Sequence, residues 1–334
     1  MEINMKYELT ENEKRMSADE LYGLAVNTYI GEGEKAEREA RYEAYLRAAI
    51  DKSGGEHLSA RLALAEHLSH EDSKVIEAAS LYAGIARKHG DARAAYKAGR
   101  MLYYKVKNNE SVIGTALELF KTAAEGNLAE AIVELARHYR YFAYDDEEGQ
   151  RYAFSLLRRI DDTRLEAIYD LTVGRLYALY GEYARDGIGT ECDPTLAFEC
   201  FEMAVRRGEK VALSDLGECY FKGFGTECDL ERALECFMET KHLGVSKYYI
   251  AMYYLYGLLG MLDEPEGVRW LREAVEDGDG DAMYELATAM LRGTGTEQDL
   301  EGGIEMMKRA FDEGANIKAY EFLHKMFPEE YPMG

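Results

Sequence analysis

Basic residues are scarce in this chain: Lys and Arg number 40 against 63 Asp and Glu, a formal charge of -23. A surface of that sign repels polyphosphate and anionic lipid, which argues against nucleic acid or a membrane as partner. Long apolar runs are missing too. The strongest, "YYIAMYYLYGLLGML" from Tyr248 to Leu262, is too short and too rich in Tyr and Gly to span a bilayer. The N-terminus "MEINMKYELTENEKRM" lacks the basic-then-apolar pattern of a signal peptide, so the expectation is a cytoplasmic protein. Only five cysteines occur, Cys192, Cys200, Cys219, Cys228 and Cys236, all within two copies of one pattern. Stacked helices stand roughly 8–10 Å apart and a disulfide needs Cα atoms within about 7 Å, so these read as reduced thiols. Proline is rare, and no Pro/Ser linker divides the chain.

Catalytic and cofactor signatures are equally sparse. No GxSxG, Cys–His, kinase or Rossmann motif is present, and carboxylate pairs among 63 acids are not diagnostic. No cofactor is expected. His67 and His70 lie three apart, but no HExxH glutamate or neighbouring Cys supports a metal site. "DGDGDAMYE" from Asp277 places acids at calcium-loop positions 1, 3 and 5, yet Ala282 and Thr288 stand where Gly and a bidentate acid are needed. The metal expectation is therefore none.

What the chain does contain is a period. "GIGTECDPTLAFECF" from Gly187 returns as "GFGTECDLERALECF" from Gly223, then as "GLLGMLDEP" from Gly257 and "GTGTEQDL" from Gly293. The spacings of 36, 34 and 36 are repeated by Asp193, Asp229, Asp263 and Asp299, and by Gly208, Gly244, Gly278 and Gly314. A period of 34–36 residues indicates stacked supersecondary units. Within a copy, helical spacing from Val211 stops at Gly223 and Gly225, and Asp229 then serves as N-cap of a second helix ending at Gly244. Asp193 is followed by Pro194, which suits the first helical position. The glycine loop thus separates two antiparallel helices. It does not cradle phosphate, because it follows a helix and carries acids where a phosphate loop carries GK[ST].

The pattern formed by Leu216, Gly217, Tyr220, Gly223, Gly225, Asp229, Ala233 and Gly244 resembles the Sel1-like repeat, a relative of the tetratricopeptide repeat. A looser copy uses Leu286, Ala287, Gly293, Gly295, Asp299, Ala310 and Gly314. The resemblance implies an all-α, right-handed α-α superhelical solenoid of about eight antiparallel helix pairs. Clear repeats are expected over 176–320 and degenerate ones over 18–160, where "SHEDSK", "KVKNNES" and "AYDDEEG" replace the glycine loop. From Gly126 the next turn is due near Asp162, and from there to Gly208 the interval is 46, ten beyond the period, which places an overlong helix at 163–186. A closing helix is expected near 315–327, and one continuous solenoid over 1–334 is favoured above two domains.

The resemblance also implies an adaptor role, with binding in the concave groove lined by first helices. Counting outward from the small residue of each pair, the expected groove holds Arg93, Tyr96, Arg100, Tyr103 and Tyr104 in the third pair. It continues with Arg137, Arg140 and Tyr141 in the fourth, and with Arg175 and Arg185 in the fifth. Arg and Tyr anchor interfaces, and Arg pairs bidentately with carboxylates, so a protein or peptide partner, possibly acidic, is expected. Many of these Arg could equally pair with Glu on neighbouring helices. Further on, Tyr248, Met252, Leu255, Tyr256, Tyr284 and Leu291 form a more apolar set. Left exposed, it would suit an oligomeric regulatory or enzyme-associated subunit, so self-association is possible; under the final helix, it is core. The leading expectation is a non-catalytic protein–protein interaction scaffold, not an enzyme.

Overall fold

A computed structural model describes residues 6–31, 33–106, 109–159 and 170–332. Seventeen α-helices and no strand occur among them. Two compact units are formed, residues 1–149 and 150–334. The first holds α1 (Ala18–Ile30), α2 (Lys35–Lys52), α3 (Leu58–Ser69), α4 (Val75–His89), α5 (Ala92–Lys105), α6 (Glu110–Glu125) and α7 (Ala129–Tyr141), and ends within α8 (Glu147–Leu157). The second contains α9 (Asp170–Asp186), α10 (Pro194–Arg206), α11 (Ala212–Lys222), α12 (Leu230–Glu239), α13 (Gly244–Tyr256) and α14 (Glu264–Glu276). It closes with α15 (Gly280–Arg292), α16 (Leu300–Asp312) and α17 (Ile317–Met326). Consecutive helices pack as pairs, all-helical as expected. The overlong helix placed at 163–186 lies partly outside the described residues; its described part is α9.

Five of the pairs close at one small residue. A Cβ on Gly99, Gly181 or Gly217 would come within 2.7–2.8 Å of the ring of Phe120, Phe201 or Phe237 on the second helix. At the same place in later pairs, Ala251 shares a core cluster with Leu271, and Ala287 shares one with Met307. A larger first-helix residue is thus matched by a second-helix side chain without a ring, which keeps the interior close-packed.

The glycine loops repeat one geometry. Gly187, Gly223, Gly257 and Gly293 end their helices at φ between +66° and +72°, the left-handed conformation that favours glycine. The aspartates then cap the second helices: Asp193, Asp229, Asp263 and Asp299 accept from the amides of Leu196, Arg232, Glu266 and Gly302 at 2.8–3.1 Å. Their own amides donate back to Ala184, Tyr220, Tyr254 and Met290 carbonyls at 2.8–3.0 Å, tying loop to first helix. The residue before three of these caps supplies a further donor. The Cys192 thiol donates to Arg185 O at 3.1 Å, Cys228 to Phe221 O at 3.4 Å, and Gln298 Nε2 to Leu291 O at 2.9 Å. All five cysteines are free, with Cys200, Cys219 and Cys236 buried; burial pushes those three thiols up to about 12, 12 and 11.

The second loop glycine has a different task. A Cβ on Gly225 would lie 2.0 Å from Pro194 O, and one on Gly295 would lie 2.3 Å from Glu264 O. In both cases the loop rests on the start of the preceding pair's second helix. The seventh pair departs from this. There the Tyr253 hydroxyl donates to Leu230 O, the first residue of α12, at 2.6 Å, and Leu259 stands in the second-glycine position with φ +51°.

Both ends are sealed by tails. Tyr7 and Tyr45 hydroxyls donate to Glu13, and the Thr10 amide joins them at 2.7 Å. Burial opposes ionisation of Glu13, but these donors outweigh it and bring the carboxyl down to about 2. At the other end, Tyr320 donates to Pro332 O, His324 Nδ1 meets Tyr331 O at 2.7 Å, and the Tyr331 ring packs on Phe311.

Two outcomes follow for stability. Gly225→Ala should destabilise the second unit by more than the roughly 1–2 kcal/mol of left-handed strain alone, because the methyl also meets backbone; Gly90→Ala, at φ +65° in open space, should show the strain cost only. Urea unfolding that ranks the two equally would remove the close-approach argument. Glu13, with its folded pKa below the usual value, stabilises the fold above about pH 4.5 and loses that contribution as pH falls toward about 2. Thermal melts of Glu13→Gln should therefore show a lower midpoint at pH 7 and a flatter acid limb.

Candidate functional site

The expected groove residues sit on α5 and α7 in the first unit and on α9 in the second. Within each unit, side chains link one first helix to the next. Tyr104, five residues after Gly99, donates to Glu134, two residues before Ala136. The same two positions four repeats later are Tyr256 and Glu285, bonded at 3.1 Å. Arg185 Nη1 reaches Asp215 at 2.5 Å, again an acid two before the small residue. Arg175 meets Glu209 at 3.3 Å and Lys247 meets Asp277 at 2.7 Å. Glu134, Asp215 and Glu285 were not singled out from the sequence, although the shared −2 position could have shown them.

Arg185 is consumed by this stitching. Its guanidinium, 23% exposed, contacts Asp186 at 2.8 Å and Glu218 at 3.9 Å besides Asp215, and lies over the Phe201 ring. Burial lowers its pKa, but the bond to Asp186 and the charges of Asp215, Asp186 and Glu218 outweigh this and raise it. Burial pushes the Asp215 carboxyl up to about 6; Arg185 pulls it down, while Glu182 and Glu218 push it further up. These two residues hold neighbouring repeats together.

The third and fourth pairs differ. Arg93 and Arg100 are exposed, and among the described residues no carboxylate lies within ion-pair distance of either. Arg100 is held over Tyr96 at 5.7 Å and over Tyr104 at 5.9 Å, so its charge is positioned without being neutralised. Arg137 is 4.0 Å from Glu134, and Arg140 lies over Tyr141 at 5.3 Å. Burial, then the bond to Glu134, pushes the Tyr104 phenol up to about 12; burial also raises Tyr96 and Tyr103. His138 is half-buried, with Nδ1 3.0 Å from the Tyr103 hydroxyl.

The apolar set is corrected at one residue and narrowed at others. Met252 is 5% exposed and belongs to the core between α13 and α14, unlike Arg100, which is exposed at the same place in its own pair. Leu255 lies against Gly267, and Leu291 against Gly303. Tyr248 is half-buried beside Tyr249. Tyr284 packs at the core that α17 helps close, with Lys318 over its ring. Tyr256 remains 62% exposed.

Glu43, His67 and Glu71 approach within 4.8 Å of one another. Lys74 Nζ is bonded to both carboxylates, at 2.8 and 3.1 Å, and supplies the cation itself. His67 is held below its ordinary value by burial, which weakens the case for a charged imidazole there.

The family model for the Sel1 repeat matches five segments, residues 92–128, 176–209, 210–237, 245–279 and 280–314, together half of the chain. The chain belongs to the Sel1 repeat family. One of the matched Sel1 repeats is the third pair, expected to be degenerate; it lacks the glycine loop but keeps the Gly99–Phe120 closure. The fold is shared with a protective antigen of uropathogenic Escherichia coli strains displaying an SLR fold. That likeness has 18% identity and a TM-score of 0.60, covering 93% of this chain and 65% of that one, so the chain spans about two thirds of its length. A Sel1 repeat protein from Oxalobacter formigenes is similar at 17% identity and a TM-score of 0.59, over 92% of this chain and 86% of that one. No curated protein matches the sequence. Sel1 repeats are generally protein-interaction scaffolds and not typically catalytic. Among the described residues no helix is long and apolar enough to cross a membrane.

The two kinds of arginine can be told apart by stability. Arg185→Ala leaves a cluster of acids without its cation and should cost about 3 kcal/mol at pH 7.5. Asp215, with its folded pKa raised, favours the fold below about pH 3.8 and loses that contribution as pH rises through about 6, so the deficit should shrink in acid. Arg93→Ala should stay within about 0.5 kcal/mol at every pH. Urea titrations at pH 5 and 7.5 that find both variants alike would remove the distinction.

Proposed function

We propose that this Sel1 repeat protein is a non-catalytic scaffold that holds a segment of another protein on the α5–α7 strip. The observation that carries this reading is the pair Arg93 and Arg100: two exposed guanidiniums, one laid over two tyrosine rings, on a chain of charge -23. Elsewhere on the first helices, Arg175 and Arg185 are spent on acids of the next repeat. A positioned arginine without a carboxylate is suited to take one from a partner, and Tyr96, Tyr103, Tyr104 and Tyr141 supply apolar area around it. An acidic segment is therefore the favoured ligand, and the strip at the third and fourth pairs is its seat.

A second reading, assembly as an oligomer through the apolar C-terminal half, draws support from one edge. Tyr256, Leu259 and Leu262 are exposed together at the seventh loop. A molar mass that rises with concentration would favour it.

The deciding experiment is a pull-down from native extract with the wild type beside Arg100→Glu/Arg137→Glu/Arg140→Glu, both checked for equal helicity. A partner held by the wild type and lost by the triple variant is expected, with binding that weakens as salt rises. A partner held equally by both would remove the strip from consideration.

A further inference from the structure

The arginine strip continues into an unbroken line of rings that ends in solvent. Arg100 lies 5.9 Å from the Tyr104 ring, Tyr104 lies 5.0 Å from Tyr103, and Tyr103 lies 5.8 Å from His138. His138 stacks on Phe142 at 6.3 Å with an interplanar angle of 22°. Phe142 is the C-cap residue of α7, its amide bonded to His138 O at 2.9 Å, and its side chain is 67% exposed. It opens the loop "FAYDD", which occupies the place that a glycine loop holds in later repeats, and Tyr144 in that loop is 81% exposed. The surface therefore has a cationic end at Arg93 and Arg100 and an apolar end at Phe142, joined by the exposed ring of Tyr104 and the half-buried rings of Tyr103 and His138.

Resting on the scaffold reading above, we infer that the ligand is a two-part segment of another protein: an acidic cluster that meets Arg93 and Arg100, and one aromatic or aliphatic residue that covers Phe142. Charge complementarity selects the first part, since the two guanidiniums have no acid of their own among the described residues. The second part follows from chemistry. A phenyl ring makes no hydrogen bond, so what covers it with gain is apolar, whereas an acidic peptide without such a residue leaves it in water. Anionic lipid and nucleic acid fit less well, because Glu130 and Glu134 flank the same strip and the whole chain is strongly negative. The spacing is bounded as well. The four contacts from Arg100 to Phe142 are 5.0–6.3 Å each, and an extended chain advances about 3.3–3.6 Å per residue, so about seven residues suffice to join acid and anchor, and a longer spacer adds only loop entropy.

The test uses the full chain and fluorescein-labelled peptides, each with a Glu-Glu-Glu cluster and a single Phe separated by zero to twelve Gly/Ser residues. Anisotropy titrations should show the tightest binding at separations of seven or fewer, and about tenfold loss when the peptide Phe becomes Ser. Phe142→Ser, an exposed change whose helicity can be confirmed, should abolish the advantage of the peptide Phe while leaving the Glu-dependent binding. Arg100→Glu should weaken every peptide. Peptides with Glu alone binding as tightly as two-part ones, unaffected by Phe142→Ser, would overturn the inference and leave the strip standing. Binding that survives Arg100→Glu would overturn the strip and the inference with it, as would no binding by any peptide at millimolar concentration.

Discussion

The fold depends on how closely two helices can approach within a pair. Where the first helix carries Gly99, Gly181 or Gly217, a phenyl ring crosses the bare backbone; where it carries Ala251 or Ala287, Leu271 or Met307 takes the ring's place. Close approach buries apolar area that neither helix could bury alone, and a single short pair has too small a core to stand by itself. Stacking supplies the rest. In the second unit, the core cluster running from Ala184 to Tyr253 draws on five successive helices, α9 to α13.

Stacking also explains why so few charges remain available. The bonds from Tyr104 to Glu134, Arg185 to Asp215 and Tyr256 to Glu285 all run from one first helix to the next. They place donors late on one helix opposite acids at the middle of the following one. The exposed ones contribute modestly and the half-buried Arg185–Asp215 pair more, and such pairs use up arginines that composition alone would assign to a ligand. Arg93 and Arg100 stand out because the next helix offers Glu130 and Glu134 at positions that do not reach them.

Local features were legible in the chain before its structure. Asp193, Asp229, Asp263 and Asp299 announced the helix starts, and Gly187, Gly223, Gly257 and Gly293 the stops, because a cap or a left-handed turn is settled by a few adjacent residues. The all-helical pairing followed from the period. What could not be read were pairings some thirty residues apart, so Arg185 looked as available as Arg100. Met252 looked like surface because side-chain direction depends on how far a helix is rotated in its pair. Phe142 and His138 went unnoticed for a related reason: the loop "FAYDD" breaks the pattern, although Phe142 stacks on His138 and His138 meets Tyr103 on the neighbouring helix.

The seventh loop shows how one hydroxyl changes what a backbone must be. Where Gly225 and Gly295 touch the helix beneath them, no side chain is admissible. Tyr253 reaches that helix instead, and the loop above it carries Leu259. The position is thereby released from a constraint on sequence that its counterparts still obey. An insertion beside Leu259 meets no backbone from the helix beneath it, so this loop is the one of the three where added residues would disturb the stack least.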